Sequence, residues 1–165
     1  MATGKSRIGR ALALYLDRPF YDTDEMIETR AGKPVSRIFA EDGEDAFRQL
    51  ETECVADVVC RPEAVVALGG GAITRHENRD IIAASAAVVV CVQANIETIL
   101  ERVSRRDDRP LLTGLSHEEK RDKVKAMLQE RAPHYATAHI TVQSTERSHA
   151  DDLARDLAAR LEAIT

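Results

Sequence analysis

Two short runs, AVVAL at 64–68 and AAVVVCV at 86–92, are apolar at every position instead of every second one. A strand of that kind is buried on both faces, the condition found inside a parallel sheet covered by helices. Helical patterns surround both runs. Ile8, Ala11, Leu12, Tyr15 and Leu16 recur at helical spacing and stop before Pro19; Phe47, Leu50, Cys54 and Val58 form the stripe of a second helix starting at Glu44. Further helices are expected over Asn78–Ala84 and Ile96–Arg105. Ser116 with Glu119 three positions on has the form of a capping box, so a helix should start there and run to about Arg131, before Pro133. Phe20-Tyr21 and Ile140–Val142 read as short strands, and Ala150, Leu153, Ala154, Leu157, Leu161 and Ile164 as the stripe of a last helix. Strands alternating with helices imply an α/β fold, a central parallel sheet flanked by helices.

A chain of 165 residues, 44% apolar, suits one domain over 1–165. No repeat, low-complexity segment or linker divides it. With 28 acidic against 23 basic residues the net charge is -5, which argues against nucleic acid or an anionic membrane as partner and leaves clustered arginines as sites for small anions. Cys54, Cys60 and Cys91 are odd in number and lack metal-ligand spacing, so they are expected as buried small apolar residues in a reducing cytosol. The longest apolar run, 81–92, is too short to span a bilayer, and a soluble cytoplasmic protein is expected.

Several motifs lie where such a sheet would present ligand sites. Gly4-Lys5-Ser6 is the second half of a phosphate-binding loop, GxxxxGK[ST], with a helix opening at once behind it. In such a loop the lysine reaches the β and γ phosphates and the serine hydroxyl reaches Mg²⁺; a plain helix cap is the alternative. Asp22 and Asp24 are two apart, so an extended chain would point both carboxylates to one face, one for a magnesium water and one for a substrate hydroxyl. Otherwise Asp22 ends a strand and Thr23 or Asp24 caps the next helix. Arg48 leaves its helix beside Phe47, with Glu51 three residues on to hold it as a clamp for a carboxylate; the alternative is an exposed ion pair. Gly69-Gly70-Gly71 follows a buried strand directly and would let a ligand approach the strand's carboxyl end. Residues 101–110, ERVSRRDDRP, carry four arginines and two aspartates, either a solvated charge run or a lid closing on a phosphoryl donor. Arg131, in RAPHY, is a further anion contact or a helix-end charge.

Taken in order, GKSRIGRALA, FYDTDEMIE, IFAEDGEDAFRQLE, ALGGGAI followed by NR, ERVSRRDDRPLL and ERAPHYATA resemble the shikimate kinase family over about Met1 to Val142. The resemblance implies a three-layer P-loop kinase fold of the nucleoside-monophosphate-kinase type. It implies transfer of the γ-phosphoryl of ATP to the 3-hydroxyl of shikimate, with Mg²⁺, by a monomer. By motif position Gly4, Lys5, Ser6 and Arg7 would hold nucleotide, Ser6 and Asp22 the metal, and Asp24 the shikimate hydroxyl as base. Arg48 and Arg131 would clamp the carboxylate above Gly69, Gly70 and Gly71, supported by Phe39, Phe47 and Glu51. Arg109 would be the arginine of a lid over about 103–115, Arg102 would stack near adenine, and the substrate region would span about 23–51.

Arg7 stands where the family usually has threonine, and Ala138-His139 where it usually has Ala-Asp. The loop's first glycine would precede Met1, since GxMATGKS completes the motif. The expectation is therefore a misassigned start with roughly ten residues of strand upstream, the central strand missing, and a chain that as written folds poorly or binds ATP weakly. A gluconate-kinase-like enzyme and a silent shikimate-binding paralogue are the competing readings.

Overall fold

The computed structural model of the chain describes residues 2–105 and 110–164, and in it strands and helices alternate as the patterns require. In chain order they are α1 (Lys5–Tyr15), β1 (Phe20–Asp22), α2 (Thr23–Ala31), α3 (Val35–Glu41), α4 (Gly43–Val59), β2 (Val65–Ala67), a 3-10 turn (Ala72–Thr74) and α5 (His76–Ala83). Then follow β3 (Val90–Gln93), α6 (Ile96–Ser104), a second 3-10 turn (Pro110–Leu112), α7 (His117–Tyr135), β4 (Ile140–Gln143) and α8 (Ala150–Glu162).

Among the described residues the strands form two parallel pairs, β1 with β2 and β3 with β4. The first pair sets Phe20 against Val65 and Asp22 against Ala67, so an acidic side chain and the start of the glycine run leave the sheet at one carboxyl end. One face of the strands, through Val65, Val90 and Val92, packs on Ile8 and Leu12 of α1 and Ala154 and Leu157 of α8. On the other side Leu68, just after β2, and Val89, just before β3, pack against Val55 of α4 and Ile82 of α5. Helices on both sides explain why the runs that carry β2 and β3 are apolar at every position, whereas β4 alternates, burying Ile140 and Val142 and exposing Thr141 and Gln143. A third cluster joins α2, α3 and α4 through Ile27, Ile38, Phe47 and Cys54, with Ile27 and Ile38 fully enclosed. At about 1.5–3 kcal/mol for each isoleucine, it anchors the helices that carry Asp24, Phe39 and Arg48.

Several expectations need correction. Residues 86–89 are not strand, although the Val89 carbonyl accepts from the His139 and Ile140 amides just before the ladder starts. α3 has no anticipated counterpart; it is one short helix closed under Phe39. α7 does not stop before Pro133 but runs through it to Tyr135. The proline removes only its own N–H, and the Ala136 amide still reaches the Ala132 carbonyl at 3.0 Å, so the last turn survives. Cys54 and Cys91 are buried, but Cys60 is exposed, because it follows the end of α4 beyond the apolar stripe. Ile164 likewise lies past the last turn of α8 and is exposed. Among the described residues no helix is long and apolar enough to cross a membrane.

Candidate active site

A cavity of about 750 Å³ opens at the carboxyl end of β1 and β2. Its lining includes Gly4, Lys5, Ser6 and Arg7 on one side, Arg48, Glu51 and Arg131 on the other, and Asp22, Asp24 and Gly69 to Gly71. Arg102 lines it too; Arg109 lies outside the described residues.

The phosphate-loop side is built on α1. Gly4, at φ 96°, turns the chain into the helix, and Ser6 follows in its first turn. The Ser6 hydroxyl donates to Asp22 Oδ2 at 2.5 Å, joining the start of α1 to the end of β1. Asp22 also caps α2, its Oδ1 accepting the Asp24 amide at 3.0 Å. The pair therefore does not extend along a strand: Asp22 closes β1 and Asp24 opens α2, yet both carboxylates line one cavity. Helix capping and site formation, set out above as alternatives, are here one arrangement. Arg102 gathers the loop from its far side, donating to the Ala2 carbonyl (3.2 Å), Ser144 Oγ (3.0 Å), the Thr145 carbonyl (2.9 Å) and Glu146 (3.2 Å).

Thr23, between the two aspartates, is fully buried and does more than the helix-cap role first given it. Its hydroxyl accepts the Gly69 amide at 2.8 Å and lies 3.4 Å from the Ala67 carbonyl. It thereby fastens the glycine run to the start of α2. A β-hydroxyl between two carboxylates and opposite a strand end was the available sequence signal.

The opposite wall is an ion-paired network. Arg48 donates through Nη1 to Glu51 Oε2 at 2.7 Å and through Nη2 to Glu44 Oε1 at 3.1 Å. Its side chain is 15% exposed and that of Glu51 1%, so the pair is not the exposed one considered from sequence. Burial works against charge on Arg48, but Glu51 and Glu44 outweigh it and hold the guanidinium above its ordinary value. For Glu51 the balance is reversed: burial raises its carboxyl, Arg48 pulls it down, and the nearby Asp24 charge pushes it up again. Phe47 lies under Arg48, 5.3 Å from ring centroid to guanidinium carbon, and Phe39 leans on Phe47 at 4.6 Å.

The glycine floor is short of side chains for a reason that distances show. A Cβ on Gly69 would stand 2.6 Å from Glu51 Oε1 and 2.9 Å from Asp24 Oδ1; one on Gly71 would stand 2.5 Å from Arg48 Nη1. Arg131, from α7, completes this side at 6% exposure. Its Nε and Glu51 Oε1 are buried without a hydrogen-bond partner among the described residues. A buried donor and a buried acceptor left unpaired beside a cavity suit a ligand that carries both an anionic group and a hydroxyl.

The comparisons agree with this geometry. The family model for shikimate kinase matches residues 1–162. A shikimate kinase from Chlorobium luteolum is 39% identical over 98% of this chain and 82% of its own length; one from Moorella thermoacetica is 42% identical over 99% and 91%. The solved structure of shikimate kinase from Acinetobacter baumannii in complex with shikimate superposes with a TM-score of 0.92 at 35% identity, covering 100% of this chain and 90% of that one. In motif order, in three-layer architecture and over nearly its whole length, this chain belongs to the shikimate kinase family.

Proposed function

We propose that this chain transfers the γ-phosphoryl of ATP to the 3-hydroxyl of shikimate, giving shikimate 3-phosphate and ADP on the route to aromatic amino acids. The observation that carries the reading is a single cavity holding a phosphate-loop lysine and serine at one side and two arginines at the other, with Asp24 on its wall. Lys5 and the amides at the start of α1 favour the phosphates. Arg48 and Arg131 receive the substrate carboxylate, for which a planar guanidinium fork is the matching donor. Asp24 neighbours Asp22 in the chain and the glycine floor in space, so a hydroxyl held by it meets the phosphate end. Its carboxylate takes the proton as the hydroxyl oxygen attacks phosphorus.

Ser6 and Asp22 offer two hard oxygens already in contact, a donor set that fits Mg²⁺. Among the described residues no three His, Cys, Asp or Glu side chains gather into a metal cage. A magnesium ion there would draw its remaining ligands from water and phosphate, and would neutralise charge on the phosphoryl oxygens. Arg7 and Arg102 serve the nucleotide, and Arg109 keeps the role at the transferring phosphoryl that the resemblance implies, in a lid over about 103–115. The reading further takes residues 1–165 as one domain with a substrate region over about 23–51, working as a cytoplasmic monomer that engages neither nucleic acid nor membrane.

A coupled assay of ADP release with ATP, Mg²⁺ and either shikimate or gluconate tests it. ADP formation with shikimate alone supports the proposal. Turnover of gluconate would make this another small-molecule kinase, and calorimetric binding of shikimate without ADP would make it a silent binder.

A further inference from the structure

The two arginines of the acceptor wall are held in different ways. Arg48 is fixed by Glu44 and Glu51, which also spend part of its charge. Arg131 forms no such pair among the described residues, and the Glu51 charge reaches it only at longer range. Something else must orient a long, buried side chain that loses rotamer freedom when fixed.

The candidate is one helical turn away. Tyr135 stands four residues after Arg131, on the same face of α7, and its hydroxyl donates to the Gly70 carbonyl at 3.0 Å. Burial pushes this phenol up, while the positive charge of the neighbouring Arg131 guanidinium pulls the other way. Pro133 lies between them and leaves the Gln129 carbonyl without its helical N–H, which weakens the turn on which Tyr135 sits. The bond to Gly70 ties that turn down on the floor of the cavity.

Resting on the reading of Arg131 as a carboxylate clamp, we propose that Tyr135 is a positioning residue for it. By fastening the last turn of α7 to the glycine floor, its hydroxyl fixes where the Arg131 side chain one turn earlier can lie, and it does so without neutralising the guanidinium. A phenol suits this task better than a carboxylate, since the full positive charge of Arg131 remains for the substrate anion.

Four proteins test the proposal: wild type, Tyr135→Phe, Arg131→Ala and the double variant, each assayed for kcat and for KM of both substrates, with a melting temperature. Tyr135→Phe should raise the shikimate KM about 5-fold, the loss of the one hydrogen bond that fastens the turn to Gly70, with kcat and the ATP KM within about twofold of wild type. In the Arg131→Ala background the same change should leave kcat/KM for shikimate unaltered. An unchanged KM in Tyr135→Phe, or an equal rise with and without Arg131, would overturn the proposal and leave Tyr135 a structural residue. If instead Arg131→Ala itself leaves the shikimate KM at the wild-type value, the clamp reading fails first and this inference with it.

Discussion

The two walls of the cavity are built on opposite principles. On the acceptor side Glu51 is 1% exposed and Arg131 6%, and the charges are paired or enclosed by Phe39, Phe47 and Ile38. On the phosphate-loop side Ser6 and Arg7 are exposed, and under the proposed function the phosphates would be met by Lys5, the Ser6 hydroxyl and the backbone amides at the start of α1. A buried ion-paired wall is rigid and selective but intolerant of change, because removing one partner strands a charge. An open wall of amides is tolerant, and its ligand supplies most of the order. Selectivity for the acceptor should therefore reside in buried electrostatics, and donor binding in backbone shape.

The sharpest separation of the two comes from a residue that joins them. Asp24→Asn should lower kcat by about 10²- to 10⁴-fold, the usual weight of a general base, with a melting temperature no lower than that of wild type, since the carboxylate it loses repels Glu51. A kcat within tenfold of wild type would remove Asp24 from proton transfer. Next in size, Arg48→Ala should abolish measurable shikimate saturation and destabilise the fold by about 3 kcal/mol, because Glu51 is left buried without its partner. Denaturant unfolding that shows no loss of stability would mean the acceptor wall is as adaptable as the phosphate loop.

Gly71→Ala tests the wall by geometry alone. The new methyl would displace the Arg48 guanidinium, now 2.5 Å from that position, so the shikimate KM should rise about tenfold for about 1 kcal/mol of stability. The smallest effect is a pH dependence. Burial holds the Glu51 carboxyl above its ordinary value, so at pH values between the two the folded chain keeps a proton that the unfolded chain has released. Stability from this group is thus fully present below the ordinary carboxylate range and falls as pH rises through the raised value. Glu51→Gln should remove that decline from a melting curve series over about pH 4 to 7; a profile parallel to wild type would show the group is not the source.

How much of this was readable beforehand depended on whether the cause was local. The capping box at Ser116 and Glu119 forms as expected because both bonds lie within four residues. The order of strands and helices followed from hydrophobic period, and Arg48 with Glu51 from helical spacing. What a helical pair cannot disclose is depth: only the packing of α2, α3 and α4 around it turns a surface bridge into a buried one. Thr23 shows the same limit, since its partner Gly69 is 46 positions away. α7 was cut short because proline is a strong local stop, and the tertiary hydrogen bond from Tyr135 to Gly70 that secures its last turn has no local signature.

The span of the contacts made by Arg102 bears on how the protein comes into being. Its guanidinium connects Ala2, 100 positions earlier, with Ser144, 42 positions later. A chain emerging from the ribosome with only α1 to α5 released has the glycine, lysine and serine but not the brace that sets them. Nucleotide capture should then appear late in synthesis, after α6 and β4 have joined, so that a nascent chain does not sequester ATP before it can use it.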